Sequence, residues 1–466
     1  MKKLLTMLLT VVMAVACCFG LTACGEEEST ARTIDLNGEF SMFAEYIPEH
    51  FKIGFIFLHD EKSTYDLNFL NAAKEAVAKM GLKAEQVIYK VNVPEGQECY
   101  DAAKELKEAG CKAIFANSFG HGGFMLQAAK DFTEVEFFHA TGAQASLNLD
   151  ADATNDVPEN FHSAFASIYE GRYLGGVAAG MKLNEMVKAQ ETAKGSALTE
   201  EELKAATKMG YVGAFPYAEV KSGYTSFYLG AKSVCPSVTM DVKFTNSWYD
   251  EVAEKAAAEA LIADGAKLIS QHADSMGAPS ACEKAGVPNV SYNGSTVNDC
   301  PNTFIISSRI DWSVYFELII ATFATGEEVQ EMAEEIKELI GKDFCYGLMA
   351  GCVEMSTINA DVMAKGTVVA LQQAMRELQY SSNSASIVFN CANFTVTVPE
   401  GNTNIVVDAE GHLVSYLADV VDAGDFVGET NVVREYNGVR FFDESNAAMF
   451  RSAPYFDLDI DGNTIK

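Results

Sequence analysis

Lys52-Ile53-Gly54-Phe55-Ile56-Phe57-Leu58, with the amphipathic stretch 68–80 and its stop at Gly81, decides the fold class of this chain. A short uninterrupted apolar run predicts a buried strand, and apolar residues at helical spacing closed by a glycine predict a helix. The alternation continues outward: residues 102–109 read as a helix, 112–116 as a strand, 125–132 as a helix and 136–140 as a strand. Such an α/β alternation marks a parallel sheet with helices on both faces.

A long helix follows over 168–183, whose small residues in Leu174-Gly175-Gly176-Val177-Ala178-Ala179-Gly180 permit close packing against a neighbour. Residues 184–207 are charged, alanine-rich and helical, and read as a surface insertion. A second series opens at Met209-Gly210-Tyr211-Val212-Gly213-Ala214-Phe215 and runs through helix 223–234, strand 239–245, helix 251–264, strand 267–271, helix 278–285 and strand 289–292. Two such series predict two lobes. From about residue 343 the character changes. Residues 367–378 are helical, and 387–398 and 403–413 read as strands in an acidic, turn-rich tail expected to cross back, finish the sheets and leave 457–466 exposed. The expected boundaries are a first lobe over 51–165, a hinge and second lobe over 166–345, and a completing segment over 346–466.

Lys2 and Lys3, the apolar run 4–19 and the ending Leu21-Thr22-Ala23-Cys24 have the layout of a secretory leader over 1–23. The ending resembles the bacterial lipobox, which implies lipid on the Cys24 sulfur and a tether over 24–50 on the outer face of the cell membrane. An ordinary leader with an incidental cysteine is the other reading. No later stretch is long and charge-free enough to cross a bilayer. The formal charge of -31 repels nucleic acid and anionic lipid. The cysteines from Cys99 to Cys391 show neither a CxxC pair nor metal-ligand spacing, so buried free thiols are expected, with no metal and no cofactor.

Several short motifs stand in order along the chain: Phe119-Gly120, Ala140-Thr141-Gly142, Arg172-Tyr173-Leu174-Gly175-Gly176, Gly210-Tyr211-Val212-Gly213-Ala214-Phe215-Pro216, Phe227-Tyr228-Leu229-Gly230-Ala231-Lys232, Asn246-Ser247-Trp248-Tyr249-Asp250 and Gln271-His272-Ala273-Asp274-Ser275. The ordered set, over roughly residues 50–355, resembles the basic membrane protein family of substrate-binding lipoproteins, related to the purine nucleoside receptors of bacterial ABC importers. The resemblance implies a type I periplasmic-binding-protein fold: two Rossmann-like lobes joined by a hinge, with ligand clasped between them. It implies a purine nucleoside or base as ligand and an ABC permease as partner, and the chain is read as a monomer.

Candidate site residues fall at the carboxyl ends of the expected strands, where open parallel sheets bind ligands. They are Tyr65, Asp66, Asn68, Phe119, Gly120, Phe215, Trp248, His272, Asp274 and Asn293. The aromatic faces of Tyr65, Phe119, Phe215 and Trp248 suit a sandwiched purine. Asp66, Asn68, Asp274 and Asn293 suit ring nitrogens or ribose hydroxyls, because a buried polar partner discriminates against analogues lacking its mate. Duller roles stand beside these: core packing for Phe119 and Phe215, a helix N-cap for Asp66, a structural hydrogen bond for His272. Asp250 reads as the cap of the helix that begins at residue 251.

The chain departs from the family's "D-K-S-F-N" loop. Asp60-Glu61-Lys62-Ser63-Thr64-Tyr65-Asp66-Leu67-Asn68 aligns without a gap, putting Thr64 and Tyr65 at the last two places, or with a one-residue shift, putting Tyr65 and Asp66 there. Ser308 stands where some members carry a lysine near the ribose, and Asn293 where they carry an aspartate. Both losses weaken the grip on a ribose and leave a free nucleobase in contention. An enzyme is disfavoured, since the chain lacks H-E-x-x-H, G-x-S-x-G, a Walker loop and G-x-G-x-x-G, and His121-Gly122-Gly123 reads as a turn beside the cleft. The alternative function is a ligand-sensing lipoprotein of the same fold that docks on a signalling membrane protein.

Overall fold

The computed structural model describes residues 40–142, 157–418, 430–444 and 456–466. The leader, Cys24 and the tether up to residue 39 lie outside the described residues. Residues 40–50, expected as tether, belong to the first lobe: Phe40–Tyr46 forms a 3-10 turn that buries Phe43, and the Tyr46 hydroxyl donates to Glu328 Oε2 at 2.7 Å.

In the first lobe β1 (Ile53–Ile56), β2 (Val87–Lys90), β3 (Ala113–Ala116), β4 (Glu136–Ala140) and β5 (Phe161–Ala166) lie parallel in the order β2-β1-β3-β4-β5. Every residue of β1 and β3 is buried, so both faces of the sheet need cover. α1 (Thr64–Lys79) covers one face, while α2 (Gln97–Glu108) and α3 (Gly122–Asp131) cover the other. The first helix begins earlier than residue 68 because Ser63 caps it, its Oγ accepting the Asp66 N–H at 3.1 Å. Asp66 is therefore not the cap but a first-turn residue free to face the cleft.

In the second lobe β6 (Lys208–Gly213), β7 (Thr239–Phe244), β8 (Leu268–Gln271), β9 (Asn289–Tyr292) and β10 (Phe304–Ile310) lie parallel in the order β10-β9-β8-β6-β7. Their helices are α4 (Tyr169–Lys194), α5 (Glu200–Ala206), α6 (Ala218–Val234), α7 (Glu251–Ala263) and α8 (Gly277–Ala285). α4 outruns its expected end at 183 and projects with α5 as a largely exposed helical pair, closed by the Thr199–Glu202 capping box and a Lys194–Glu202 ion pair. Closer in, α4 and α6 meet through glycines. A Cβ on Gly176 would stand 2.0 Å from the Phe227 carbonyl oxygen, and one on Gly230 2.0 Å from that of Tyr173.

The chain then returns. α9 (Trp312–Ala321) packs on α1, α10 (Gln330–Ile340) follows, β11 (Asp343–Tyr346) joins the first sheet beside β5, and β12 (Val353–Met355) joins the second, antiparallel to β10. Residues 312–346 thus belong to the first lobe rather than the second. The cause is the apolar run of α9, whose Trp312 lies 4.6 Å from Phe69 and whose Phe316 lies 5.1 Å from Phe55, ring centre to ring centre. Three crossings, after β5, β10 and β11, connect the lobes.

The tail differs most from expectation. After α11 (Thr367–Tyr380), residues 385–388 form a helical turn, α12 (Ala385–Val388), instead of a strand. Asn383 and Asn390 flank it and accept the Ser386 and Ala392 N–H groups, bending a chain that apolar content alone makes look extended. β13 (Ile405–Val407), β14 (Leu413–Ala418) and β15 (Thr430–Asn431) form a small antiparallel sheet, and β16 (Val433–Tyr436) pairs with β17 (Val439–Phe442). The end of the chain is not simply exposed: Phe456, Leu458 and Ile460 are buried in alternation, and β18 (Asn463–Ile465) adds a parallel strand beside β7.

Because backbone stands where a Gly176 side chain would go, Gly176→Ala should destabilise the protein by about 1–3 kcal/mol through overpacking. Gly123→Ala, which meets open space, should stay within about 0.5 kcal/mol of the parent. Urea unfolding of the two variants makes the comparison.

Candidate ligand-binding cleft

The carboxyl ends of both sheets face one another, so the loops leaving β1, β3, β4 and β6 to β9 converge on a cavity of about 380 Å³ between the lobes. Leu58, His59, Tyr65, Asp66, Ser118, Phe119 and Thr141 line it from the first lobe. Glu219, Trp248, His272, Asp274 and Tyr292 line it from the second. The lobes touch directly, since the Thr64 N–H and Oγ donate to the Asp274 carbonyl oxygen at 2.8 and 2.9 Å and the rings of His59 and Tyr249 lie 5.2 Å apart.

Four of the lining residues are aromatic, and their neighbours hold them. The Tyr65 hydroxyl donates to the Asn117 carbonyl oxygen at 2.7 Å, and its ring meets Phe69 edge-on at 4.9 Å. Trp248 meets Phe215 edge-on at 5.2 Å and Tyr217 at 5.9 Å, while Phe215 and Tyr217 stack on each other at 4.9 Å. Phe215 is therefore a support behind Trp248 rather than part of the wall. Tyr292 carries the Arg172 guanidinium on its ring, 3.3 Å from the centroid. Arg172 is 2% exposed, donates from Nη1 to the Gln271 carbonyl oxygen at 2.9 Å, and finds no partner for Nε and Nη2 among the described residues.

Three carboxylates face the same space. Burial pushes the Asp66 carboxyl up, but hydrogen bonds from His59 and Asn117 outweigh it and hold the group below its ordinary range. Asp274 has no comparable set. Burial first, then the charges of Glu254, Asp66 and Glu219, push it well upward, and Arg172 opposes them. Glu219 Oε1 lies 3.2 Å from His272 Nε2. Burial, helped by the charge of Arg172, holds the His272 imidazole well below its ordinary range.

The expected site residues divide accordingly. Tyr65, Asp66, Phe119, Trp248, His272 and Asp274 meet at the cavity. Asn68 lies at the second crossing, where its Nδ2 donates to the Ile310 carbonyl oxygen at 2.9 Å and its Oδ1 accepts from Arg309 at 3.2 Å. Gly120 N–H donates to Glu95 at 2.9 Å, outside the wall. Asn293, in the left-handed region at φ 65°, stands behind Asp274 with its Nδ2 3.4 Å from Oδ1. Asp250 does cap α7, accepting the Ala253 N–H at 2.9 Å. Six lining residues, Leu58, His59, Ser118, Thr141, Glu219 and Tyr292, are not among the expected ones. Tyr292 ends a strand one residue before the chosen Asn293, and Glu219 sits in the first turn of a helix that the sequence pattern starts only at residue 223.

The geometry defines a class: a bilobed α/β receptor that encloses a small molecule where two parallel sheets face each other. The description "ABC transporter substrate-binding protein PnrA-like" matches residues 55–384, and the chain belongs to that family, whose members are binding proteins rather than enzymes. A purine-binding protein of Brucella abortus (strain 2308) is 33% identical over 276 residues, 59% of this chain and 69% of the relative. A protein of Haloferax volcanii described as "Putative ABC transporter glucose-binding protein TsgA13" is 32% identical over 203 residues, 44% of each chain. Among solved structures, an ABC transporter solute-binding protein from Conexibacter woesei superposes with a TM-score of 0.50 at 17% identity, covering 70% of this chain and 95% of its own. A transcriptional activator of the comK gene from Bacillus halodurans superposes at 0.51 and 15%, covering 71% and 99%. These likenesses place the fold in the type I periplasmic-binding-protein class. No helix among the described residues is long and apolar enough to cross a membrane.

Glu254 tests the electrostatics behind the site. It accepts the Ser275 and Asp250 N–H groups, both at 3.1 Å, and burial raises its carboxyl to about 7. A carboxyl raised in the native state binds more protons there than when unfolded, so its contribution is fully present below about 4.5 and is lost as pH rises to about 7. The stability of Glu254→Gln relative to the parent should therefore rise across that window, by at most about 1.4 kcal/mol per pH unit. A difference independent of pH in urea titrations would contradict it.

Proposed function

We propose that this protein is a lipid-anchored, extracytoplasmic receptor of an ABC importer that encloses a purine nucleoside or nucleobase and delivers it to its permease. The observation that carries this reading is the cavity wall: Tyr65, Phe119, Trp248 and Tyr292 offer aromatic faces to a flat ring, and Asp66, Asp274 and Glu219 offer acceptors to its N–H groups. The 33% identity to a purine-binding protein supports it. Among the described residues no lysine or arginine lines the cavity, which disfavours a phosphorylated ligand. Contacts from both lobes bind the closed form more tightly than the open one, and that differential affinity drives closure. Cys24 carries the lipid after the leader is removed, and the acidic surface keeps nucleic acid away.

Calorimetry of the detergent-solubilised chain, stripped of carried-over ligand, with adenosine, guanosine, inosine, adenine, guanine, hypoxanthine and glucose is the direct test. Tight binding of a purine is expected, with Trp248→Ala weakening it more than about tenfold as aromatic anchors do. Binding of glucose alone, or of none of the seven, would reject the purine reading. Cys24→Ala should move the protein from the membrane fraction to the soluble extracytoplasmic fraction, and retention in the membrane would reject the anchor.

A further inference from the structure

Residues 385–466 lie beyond the part of the chain that matches the family, yet their last stretch grips the helix that carries Glu219. Lys221 Nζ donates to Asp457 Oδ1 at 2.7 Å and lies 3.4 Å from Asp459 Oδ2. The Tyr224 hydroxyl donates to Asp459, and Ser222 Oγ donates to Glu444 Oε1 at 2.7 Å in a buried bond. One turn further along the helix, the backbone of Gly462 comes so close to Tyr228 that a Cβ there would stand 2.0 Å from its hydroxyl, and the glycine's φ of 99° suits no other residue.

Helical periodicity sorts these residues. Lys221, Tyr224 and Tyr228 share one face of α6. Glu219 and Gly223, one turn apart, share the opposite face, where Glu219 meets His272 and a Cβ on Gly223 would stand 3.0 Å from His272 Nδ1. The tail holds the outer face of a helix whose inner face orders the cleft. Asp457 and Asp459 are half exposed but converge on a Lys221 side chain that is only 11% exposed, so the charge that seats the tail is itself largely shielded from water.

We propose that Glu444 and residues 456–466 form a positioning strap: by fixing the rotation and depth of the first turns of α6, they set Glu219, and through it the His272 loop, for ligand. Asp457, Asp459, Glu444 and Tyr224 are positioning residues that touch no ligand. The proposal rests on the cleft being the ligand site, not on the ligand being a purine.

Hydrogen–deuterium exchange of the full-length chain and its Asp457→Asn/Asp459→Asn variant tests it without ligand. The diagnostic amides are those of His272, Asp274 and Ser275, which bond to Val212, Trp248 and Glu254 rather than to any described residue of the tail. The strap requires their exchange to quicken at least about fivefold, with exchange in β1 and β3 of the first lobe unchanged. Quickening confined to the tail and the outer face of α6 would overturn it, since a merely local anchor does no more. If the double variant exchanges globally, Tyr224→Phe, which removes one hydroxyl, decides by the same criterion. In parallel, adenine and hypoxanthine affinity should fall at least about fivefold. A quickened loop with no purine binding by the parent chain would uphold the strap and reject the purine reading, and an unchanged loop with purine binding intact would do the reverse.

Discussion

Burying carboxylates of like sign together is the constraint around which the cleft is organised. A carboxylate withdrawn from water needs a charge, a set of hydrogen-bond donors or a proton in compensation, and the cleft sets Asp66 of one lobe against Glu219 and Asp274 of the other. Each group meets the demand differently. Asp66 receives donors from His59 and Asn117, and Glu219 takes the His272 ring. Asp274, least provided for, is the one pushed furthest toward its neutral form. Arg172 lies behind this cluster on the ring of Tyr292, so its charge acts through the wall while the wall itself presents aromatic faces and acceptors.

That placement depends on the close approach of α4 and α6. Arg172 stands on α4, Glu219 on α6, and the separation of their side chains depends on how closely the two helices approach. Gly176 and Gly230 let backbone touch backbone, so the approach is fixed by hard contacts rather than by adaptable side chains. The same logic applies at the hinge. Glu170, buried in the first turn of α4, accepts the Leu348 N–H of the third crossing at 2.6 Å, and Arg309 ties Asn68 to Glu354 across the second. Crossings tied to one another move as a unit, as rotation of rigid lobes requires.

The lobes were legible in the sequence because parallel strands buried on both faces are written as unbroken apolar runs, of which Ile53–Ile56 and Ala113–Ala116 are examples. Much of the site was legible for a related reason: once strand ends are located, the next polar or aromatic residue faces the cleft, and Trp248, His272 and Asp274 follow from that rule. It failed where local chemistry moved an element's end. The early start of α6 put Glu219 in a first turn, and its N-cap residue, Tyr217, makes no side-chain cap bond that would mark the start. Residues 312–321 fall within the expected second lobe, 166–345, yet pack on the first, because apolar content implies burial but not against which sheet. The tail misled for the converse reason, since Asn383 and Asn390 turn a segment whose apolar content suggests a strand.

The closed arrangement is a balance rather than a locked state. Two hydrogen bonds from Thr64 to the Asp274 carbonyl join the lobes, each worth about 1 kcal/mol net, while the charge of Asp66 on the first lobe opposes ionisation of Asp274 on the second. A small molecule that fills the cavity, stacks on its aromatic wall and turns N–H groups toward the carboxylates removes the opposing term and adds contacts to both lobes at once. A ligand can shift the equilibrium only by its difference in affinity for the two states, and here that difference arises chiefly from groups present on both sides of the cleft. An aromatic ring held by one lobe alone would bind without closing it. The carboxylates facing each other across the gap are what couple occupancy to shape.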